Sequence, residues 1–508
     1  MNRLGNALFN IIMKGRLNRI RFFMDHPHEV QQDLMRMLVQ QGKNTEFGRR
    51  YGFKDIKTVQ HYRNQVPIYT YEQLYPYIER LLNGEQKLLW PTPVQWFAKS
   101  SGTTNARSKF IPVTKEALKD CHFKGGKDML ALYINNYENA GLLTGRHLAI
   151  GGSHRLNLKS GDTETYYGDV SAVIIKNLPL WVQLFRTPQM EVALMEEWEE
   201  KIARMAEVTM RQNVTNIAGV PTWTIVLLQR ILEKMGKTSI KEVWPNLEVF
   251  YHGAVAFEPY RPVFEKLIGT PGIRYFETYN ASEGFFGLQD QTTPGDMLLM
   301  LDYGIFYEFI PLEHANDDNP PTVGLDEVEL GKNYAMVIST NAGLWRYKIG
   351  DTVRFTSLKP FRIKITGRTK HFINAFGEEL VIENAERGIA AACAATGAAI
   401  DNYTAGPVYL DGTHRGGHEW AVEFTELPND MATFVQVLDQ TLIEVNSDYG
   451  AKRHRSLALL PPKVHALPIG TFHAWLKKKG KLGGQNKVPR LVNNREVLDE
   501  VLQYQQVL

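Results

Sequence analysis

NIAGVPTWTIVLLQRILEKMGKTSIKEVWPNLEVFYHG, residues 216–253, contains two short apolar or β-branched segments that end at glycine, Asn216–Gly219 and Val249–Gly253. The stretch between them, Thr222–Met235, has the length and the apolar spacing of an amphipathic helix. The same order of elements occurs upstream, in His147–Gly151 and Met190–Arg211. Short strands that alternate with helices of this length are typical of an α/β domain with a largely parallel sheet.

The chain on either side of this α/β pattern has a different character. The residues before Val94 favour helices, and His28–Gln41 has the clearest helical period. After Pro294 four short extended segments predict a sheet or half-barrel that completes the first domain: Phe306–Ile310, Glu327–Leu330, Ala335–Ser339 and Trp345–Ile349. Beyond a compact turn at Thr366–Arg368, four segments predict a final α+β domain: Glu379–Ala395, Tyr403–Tyr409, Trp420–Phe424 and Asp430–Asn446.

The chain length and composition limit the class of protein. The 508 residues exceed what one core supports, and we expect a large domain at 1–366 and a small domain at 367–508. A net charge of +3 does not indicate a nucleic acid partner. Cys121 and Cys393 are the only cysteines, which excludes a disulfide framework and fits a reducing, cytoplasmic compartment.

No apolar run approaches the roughly 20 residues that span a bilayer. The amphipathic stretch Leu4–Phe23 is interrupted by Lys14 and Arg16, so it lacks the continuous apolar core of a signal peptide. Two interpretations of this stretch remain open: a helix packed on the protein, or a helix on a membrane surface.

The first motif that could carry chemistry is Ser100-Ser101-Gly102-Thr103-Thr104, continuing to Lys109 between strand-like Val94–Ala98 and Phe110–Val113. Four hydroxyls and a glycine in a tight loop offer several donors without bulk, and successive backbone amides can bind an anion such as triphosphate. The loop is not a Walker A motif, because no GxxxxGK[ST] pattern occurs here. The alternative interpretation is a polar hairpin turn.

A second motif, Thr278–Gly284, follows strand-like Arg274–Phe276. Its aromatic ring could cover a base or an acyl group, and the Glu283 carboxylate could hold magnesium through hard oxygen coordination. A third motif, Trp345–Asp351, alternates aromatic and basic residues and ends in a carboxylate that could accept both hydroxyls of a ribose. Each motif also has a plainer interpretation. Glu283 could be an exposed residue before a glycine turn, and Asp351 could be a simple turn residue.

The fourth motif is the glycine-rich segment Lys481–Arg490. A lysine on such a loop can bring a point charge to negative charge that develops on a phosphate or a carboxylate. Lys487, set apart by Gly483 and Gly484, is the candidate, whereas the run Lys477–Lys481 favours a solvated face.

Taken in this order, the motifs resemble the adenylate-forming superfamily, and most closely its branch of acyl-acid amido synthetases, the auxin-responsive Gretchen Hagen family. The matching segments are the phosphate loop Ser100–Thr104, the Tyr-x-x-Ser-Glu signature in Thr278–Glu283, the ribose motif Arg346–Asp351, the hinge Gly367–Lys370 and the ending Lys487–Arg490. The resemblance implies a large adenylate-forming domain with parallel and mixed sheets and a β-rich part, followed by a small, mobile α+β domain.

The resemblance also implies a role for each matched residue, with ATP and Mg²⁺ as cofactors. Ser100, Ser101, Gly102, Thr103 and Thr104 would hold the phosphates, and Gly253 and Ala254 would line the adenine. Thr278, Tyr279 and Ser282 would flank the nucleotide, Glu283 would bind magnesium, and Asp351 would hold the ribose with Arg368 near it. Lys487 would steady the acyl carboxylate and the α-phosphate during adenylation.

Two positions depart from the family pattern. The ribose motif contains Arg346-Tyr347-Lys348 in place of Tyr-Arg, which leaves open which basic residue contacts the nucleotide. Ligases of the superfamily usually carry a lysine in or just after the phosphate loop, and Arg107 and Lys109 both remain candidates.

The implied activity is activation of a small carboxylic acid as its acyl-adenylate, followed by transfer to the amine of an amino acid. The acyl pocket is expected between Gly219–Trp223 and part of Lys119–Asn135, with the candidate wall residues Val220, Pro221, Trp223, Leu130 and Tyr133, which could equally be core residues. The alternatives are an acyl-CoA or other adenylate-forming ligase with a thiol acceptor, and an inactive nucleotide-binding scaffold.

Overall fold

The computed structural model of the chain describes thirteen segments with short gaps between them: residues 15–100, 109–137, 140–152, 154–156, 164–255, 257–269, 273–315, 317–368, 372–378, 380–409, 415–456, 458–479 and 488–505, of which 154–156 is described by its backbone. Everything said below about the structure concerns these residues. In this part of the chain no helix is both long and apolar enough to cross a membrane.

The described helices fall into three groups along the chain. The amino-terminal group is α1 (15–25), α2 (Pro27–Gly42), α3 (Glu46–Arg50), α4 (Val59–Gln65) and α5 (Tyr71–Leu82). The middle group is α6 (Lys115–Ala117), α7 (Phe123–Asn136), α8 (Val170–Asn177), α9 (Leu180–Gln183), α10 (Met190–Ala193), α11 (Trp198–Thr209), α12 (Pro221–Met235), α13 (Ile240–Val243) and α14 (Arg261–Ile268). The last group is α15 (Ile382–Thr396), α16 (Met431–Val445), α17 (Ser447–Arg453), α18 (Thr471–Lys478) and α19 (Glu496–Gln505).

The strands follow in chain order. They are β1 (Trp96–Ser100), β2 (Lys109–Val113), β3 (Arg146–Ala149), β4 (His154–Leu156), β5 (Tyr166–Gly168), β6 (Arg186–Thr187), β7 (Val214–Gly219), β8 (Val249–His252), β9 (Arg274–Ala281) and β10 (Gly284–Leu288). The second half comprises β11 (Met297–Leu299), β12 (Ile305–Pro311), β13 (Asn333–Thr340), β14 (Tyr347–Leu358), β15 (Phe361–Arg368), β16 (Phe372–Ile373), β17 (Leu380–Val381), β18 (Ala399–Val408), β19 (Gly417–Glu426) and β20 (Lys463–Leu467).

A single 11-stranded sheet organises the large part of the molecule, in the order β12-β13-β14-β15-β11-β10-β9-β8-β7-β3-β6. Strands β6, β3, β7, β8 and β9 run parallel, and β9 through β15 to β12 pair antiparallel. A 4-stranded sheet, β2-β1-β5-β4, carries the β1–β2 connection. The carboxyl-terminal part is a 3-stranded sheet, β18-β19-β20, with helices, so the predicted fold class is confirmed.

Two large apolar cores lie on this scaffold. Helices α1–α5 pack with the antiparallel strands of the large sheet in one core, which includes Phe23, Leu38 and Tyr347. The parallel strands pack with α11, α12 and α14 in the other. The second core also contains Ile389 of α15 and Trp420 of β19, so the carboxyl-terminal part shares it with the parallel half of the sheet.

Helix α1 is held on the protein by an ion-pair cluster. The Arg16 guanidinium lies 2.6 Å from Asp128 of α7 and 2.5 Å from Asp302, and Tyr303 donates to Asp128 at 2.7 Å. Ile20 and Phe23 on the same helix are buried. The packed-helix interpretation of this amino-terminal stretch therefore holds for residues 15–25, because its apolar face is used inside the protein.

Most of the predicted elements are confirmed, with three corrections. Thr366–Arg368 is not a compact turn but the last part of strand β15, where Gly367 and Arg368 pair with β14. Met190–Arg211 is not one helix: it breaks after Ala193, and Glu197 caps α11 by accepting hydrogen bonds from the amides of Glu199 and Glu200. Glu327–Leu330 forms turns rather than a strand. The Glu327 carboxylate accepts from the Gly324 amide and from Arg63, which fixes a local turn in place of a strand ladder.

Candidate active site

The carboxyl ends of the parallel strands form one edge of the large sheet, and several candidate residues lie there. Gly253 follows β8 and packs against β9: a Cβ atom on it would lie 2.4 Å from the carbonyl oxygen of Thr278. The Thr278 hydroxyl in turn donates to the His252 carbonyl at 3.1 Å. Ala254 then adopts a φ of 70°, in the left-handed region that residues with a Cβ rarely occupy. At this turn Gly253 is partly exposed and Ala254 is exposed.

Asp351 lies beside this edge on the neighbouring antiparallel strands. Its Oδ2 accepts a hydrogen bond from the Tyr279 hydroxyl at 2.5 Å, and its Oδ1 accepts from Arg368 Nε at 2.7 Å. The pairing of β14 with β15 places Asp351 directly opposite Arg368. The side chains of the ion pair are only 15% and 17% exposed, so the carboxylate is oriented by two fixed donors at the rim of the site.

Glu283 lies in the turn between β9 and β10, close to Asp351. Burial, together with the Asp351 charge, raises the pKa of Glu283 to about 7, while Lys109 and Arg368 act in the opposite direction. A carboxylate whose charged form is disfavoured by desolvation gains most from a nearby cation, and its oxygens are the ligands that Mg²⁺ prefers. The position of Glu283 therefore fits a magnesium ligand.

Lys109 is the first residue of β2, directly opposite Ser100 at the end of β1. Its side chain is buried, and its ammonium nitrogen lies 5.6 Å from the centre of the Tyr71 ring. Of the positive charges that lower the pKa of Glu283, that of Lys109 has the largest effect. Of the two basic residues after the phosphate loop, Lys109 is thus brought to the acidic residues of the site, and Arg107 lies outside the described residues.

The departure in the ribose motif has a structural explanation. Arg346, with a φ of 43°, forms two hydrogen bonds to the Glu308 carboxylate, at 2.9 and 3.0 Å, and donates to the carbonyls of Arg63 and Val66. Lys348 donates to the Ala315 carbonyl. Both side chains are thus used to hold loops on the large sheet, and the basic residue next to Asp351 is Arg368 instead.

Two tyrosines of the site were not singled out from the sequence. Tyr71 accepts a hydrogen bond from the Phe110 amide at 2.8 Å, which joins α5 to β2 beside Lys109. Tyr347 is fully buried, its hydroxyl has no hydrogen-bond partner among the described residues, and the nearby Glu283 charge adds to the burial that raises its pKa. Tyr347 lies inside the motif Trp345–Asp351, although the sequence assigned it no role. No local spacing marks Tyr71, because helix packing brings it to the site.

The candidate acyl residues do not come together. Val220 and Pro221 begin α12 at the carboxyl end of β7, and Trp223 stacks on Trp198 of α11 with ring centres 4.0 Å apart. Tyr133 lies at the opposite end of the strands. Its hydroxyl is 3.1 Å from the Glu248 carboxylate and accepts a hydrogen bond from Arg274. Glu248 immediately precedes β8, and Arg274 is the first residue of β9.

Several of the candidates lie outside the described residues: Ser101, Gly102, Thr103, Thr104 and Lys487, together with Thr369 and Lys370 of the hinge motif. Ser100, the first residue of the loop motif, ends β1 and is partly exposed. Ser282 is the residue before Glu283 in the β9–β10 turn and is partly exposed as well.

Comparison with known proteins identifies the family of the chain. The GH3 family N-terminal domain matches residues 16–273, its central domain residues 298–368 and its C-terminal domain residues 383–496. The indole-3-acetic acid-amido synthetase GH3.4 of Arabidopsis thaliana is 23% identical, with 92% of this chain and 90% of that protein aligned. The jasmonoyl–L-amino acid synthetase JAR4 of Nicotiana attenuata is 24% identical over 64% of this chain and 66% of its own.

Solved structures show the same fold. The GH3.15 acyl acid amido synthetase superposes with a TM-score of 0.61 at 18% identity, covering 96% of this chain and 95% of its own. A 2-hydroxyisobutyryl-CoA ligase gives a TM-score of 0.54 at 13% identity, covering 95% and 93%. The resemblance inferred from the motifs is confirmed by the three matched domains, which follow one another along most of the sequence: the chain belongs to the GH3 family.

Proposed function

We propose that the protein uses ATP to activate a small carboxylic acid as its acyl-adenylate, and then transfers the acyl group to the amine of an amino acid. The observation that carries the proposal is the grouping of Asp351, Arg368, Glu283 and Lys109 at one edge of the large sheet. The GH3 relatives named as amido synthetases support the second step.

The chemistry of the first step needs charge neutralisation and positioning more than covalent participation by the protein. An oxygen of the acid attacks the α-phosphorus of ATP, the bond to the β-phosphate oxygen breaks, and pyrophosphate leaves. Mg²⁺, when bound with ATP, supplies positive charge to the phosphate oxygens. In this proposal Glu283 holds the ion, and Lys109 contributes a fixed positive charge beside the phosphate loop Ser100–Thr104.

The second step forms the amide. The amine nitrogen attacks the acyl carbon, the bond to the phosphate oxygen breaks, AMP leaves, and the amine loses a proton to solvent or a base. Throughout, Asp351 would accept hydrogen bonds from the ribose hydroxyls while Tyr279 and Arg368 fix its orientation. Gly253 and Ala254 would lie along the adenine, with Thr278 and Ser282 beside the nucleotide.

The remaining assignments follow from the family pattern. We infer that Lys487 reaches the acyl carboxylate and the α-phosphate during adenylation, carried by a mobile small domain. The boundary that we propose divides residues 1–366 from residues 367–508 at the hinge motif beside Arg368. Of the candidate acyl residues, Val220 and Pro221 have the support of lying at the same strand ends as Gly253, whereas Tyr133 lies at the other end.

The proposal is tested by pyrophosphate release from MgATP over a panel of aliphatic, aromatic and hydroxylated acids, repeated with amino acids and with coenzyme A. Release that needs one acid and increases with one amino acid, accompanied by the amide product, is the expected result. Stimulation by coenzyme A alone would assign the protein to the thiol-accepting ligases. Binding of ATP without release for any acid would instead favour an inactive scaffold.

A further inference from the structure

A buried lysine from the carboxyl-terminal part lies against the strand ends of the large part. Lys452, in α17, is only 5% exposed. Its Nζ donates to the Asp448 carbonyl of its own helix at 3.3 Å and lies 5.9 Å from the centre of the Trp223 ring. No carboxylate among the described residues pairs with it. A buried ammonium with so little compensation is costly, unless an anion completes its surroundings.

The amino-terminal end of α12 lies at the same place. Both the Lys452 Nζ and the Val220 Cγ1 lie within 4 Å of one point, the position that a Cβ atom on Gly377 would occupy, at 3.8 and 3.9 Å. Gly377 has a φ of 83°, a backbone conformation that favours glycine. Three elements therefore converge here: α12, α17 and the loop that contains Gly377.

Helix α12 has no side-chain cap. Val220 occupies the N-cap position without a capping hydrogen bond, and Pro221 at the first turn has no amide proton. The first free amides of this 15-residue helix, at Thr222 and Trp223, point out of its positive end. Thr222 is fully buried, and its hydroxyl lies beside that of Tyr260. The uncapped helix end, the buried hydroxyl and the ammonium together suit a carboxylate.

We propose that Lys452 and the amino-terminal end of α12 bind the carboxylate of the amino acid acceptor. The inference rests on the proposed function, because it names how the same site recognises its second substrate. Val220 follows β7 and Gly253 follows the neighbouring parallel strand β8, so a carboxylate held here lies at the same strand ends as the proposed nucleotide site. Because Lys452 belongs to the carboxyl-terminal part, the acceptor site is complete only when that part is docked as in this structure.

The test compares K452M and K452R with the unmodified enzyme, using the amino acid of the panel with the lowest KM and its own primary amide. We expect K452M to raise the KM for the amino acid by about tenfold or more, the usual effect of losing a charge-assisted hydrogen bond. K452M should also remove the preference for the amino acid over its amide. K452R should partly restore both the low KM for the amino acid and this preference. Lys463→Met, at a lysine whose side chain is 67% exposed, is the matched control.

Exchange of pyrophosphate into ATP with the acid alone separates the two proposals. Exchange by the unmodified enzyme supports the adenylation step; its absence would overturn the proposed function and this inference together. With exchange present, an unchanged KM for the amino acid in folded K452M would overturn the Lys452 site alone. An equal rise in KM for the amino acid and its amide would do the same, because it would report lost packing and not a lost charge.

Discussion

The chemistry of the candidate site depends on how single carboxylates are surrounded. Asp351 has a fixed donor on each oxygen, Tyr279 on one and Arg368 on the other, and is therefore held in one orientation. Glu283, a few residues along the chain from Tyr279, lies where burial raises its pKa to about 7. The orientation of Asp351 thus suits hydrogen bonding to hydroxyls, whereas Glu283, whose charged form is disfavoured by burial, suits a cation.

At this scale we predict that Asp351→Asn weakens ATP binding. The amide keeps the shape of the carboxylate but loses the negative charge that attracts Arg368 and one of the two oxygens that would accept hydrogen bonds from the ribose hydroxyls. The Kd for ATP should therefore rise by at least about tenfold. Calorimetric titration with ATP measures the effect.

The matched control for that substitution is Asp290→Asn. Asp290 forms the same kind of pair, with Arg362 at 2.7 and 2.9 Å, outside the site. An equal loss of ATP affinity in both variants would contradict the assigned role, because it would show that breaking any such pair disturbs the protein.

His252 predicts a pH dependence of stability. It is buried against Phe257, with ring centres 4.0 Å apart, and burial lowers its pKa to about 3. Below about pH 6.5 the His252 imidazole is protonated in the unfolded chain, whereas in the folded chain it stays neutral down to about pH 3. The free energy of unfolding therefore decreases as the pH falls through this range. His252→Phe keeps the stacked ring. Between pH 7 and pH 5 its free energy of unfolding should decrease by about 2 kcal/mol less than that of the unmodified protein. Urea denaturation at both pH values checks this, and parallel losses would contradict it.

At the scale of elements, the sequence predicted the helices and strands that have a clear apolar periodicity or end at a glycine. The strands β3, β7 and β8 and the helix α12 were predicted from Asn216–Gly253 and its upstream counterpart, and the structure confirms them within a few residues. The break between α10 and α11 was missed, because a helical period continues across the capping Glu197. The turn at Glu327 was missed because a carboxylate that accepts from Gly324 gives no signal in apolar alternation.

Helix α7 offers a test of packing with its own internal control. A Cβ on Gly125 would lie 2.5 Å from the ring of Phe285 in β10, whereas a Cβ on Gly126 would have nothing within 4 Å. Gly125→Ala should therefore cost about 1–3 kcal/mol by forcing helix and strand apart. Gly126→Ala should gain about 0.5–1 kcal/mol from helix propensity. Thermal denaturation of the pair measures both signs, and a stabilising Gly125→Ala would contradict the packing described here.

For the whole molecule, the order of motifs predicted the family and the two-part architecture, but not how the parts touch. The carboxyl-terminal helices and strands contribute to the same apolar core as the parallel half of the sheet. Contacts such as Lys452 with Trp223 join residues far apart in the chain, and no local pattern encodes them. For the same reason the sequence suggested Tyr133 and Trp223 as one pocket, although they lie at different places on the sheet.

Removal of one hydroxyl, that of Tyr260, should weaken the contact between the large part and the carboxyl-terminal part. The Tyr260 hydroxyl of the large part donates to the Ala375 carbonyl, just beyond the hinge motif. Tyr260→Phe should increase the rate of tryptic cleavage at Arg368 or Lys370 several-fold, because about 1 kcal/mol of docking is lost. Tyr409→Phe removes the same kind of bond, to the Asn493 carbonyl at 2.9 Å, within the carboxyl-terminal part. Cleavage accelerated equally by both variants would refute the docking role of Tyr260.

The thiols of this chain have a practical consequence. Cys121 is buried in the turn before α7, where its sulfur accepts from the Phe285 amide at 3.1 Å and burial raises its pKa to about 12. Burial raises the pKa of Cys393 as well. Both native sulfurs therefore offer less of the thiolate that maleimide dyes attack than an exposed cysteine does. Single cysteines introduced on the two parts could therefore carry a donor and an acceptor fluorophore without prior removal of native ones, and report the distance between the parts through each catalytic half-reaction.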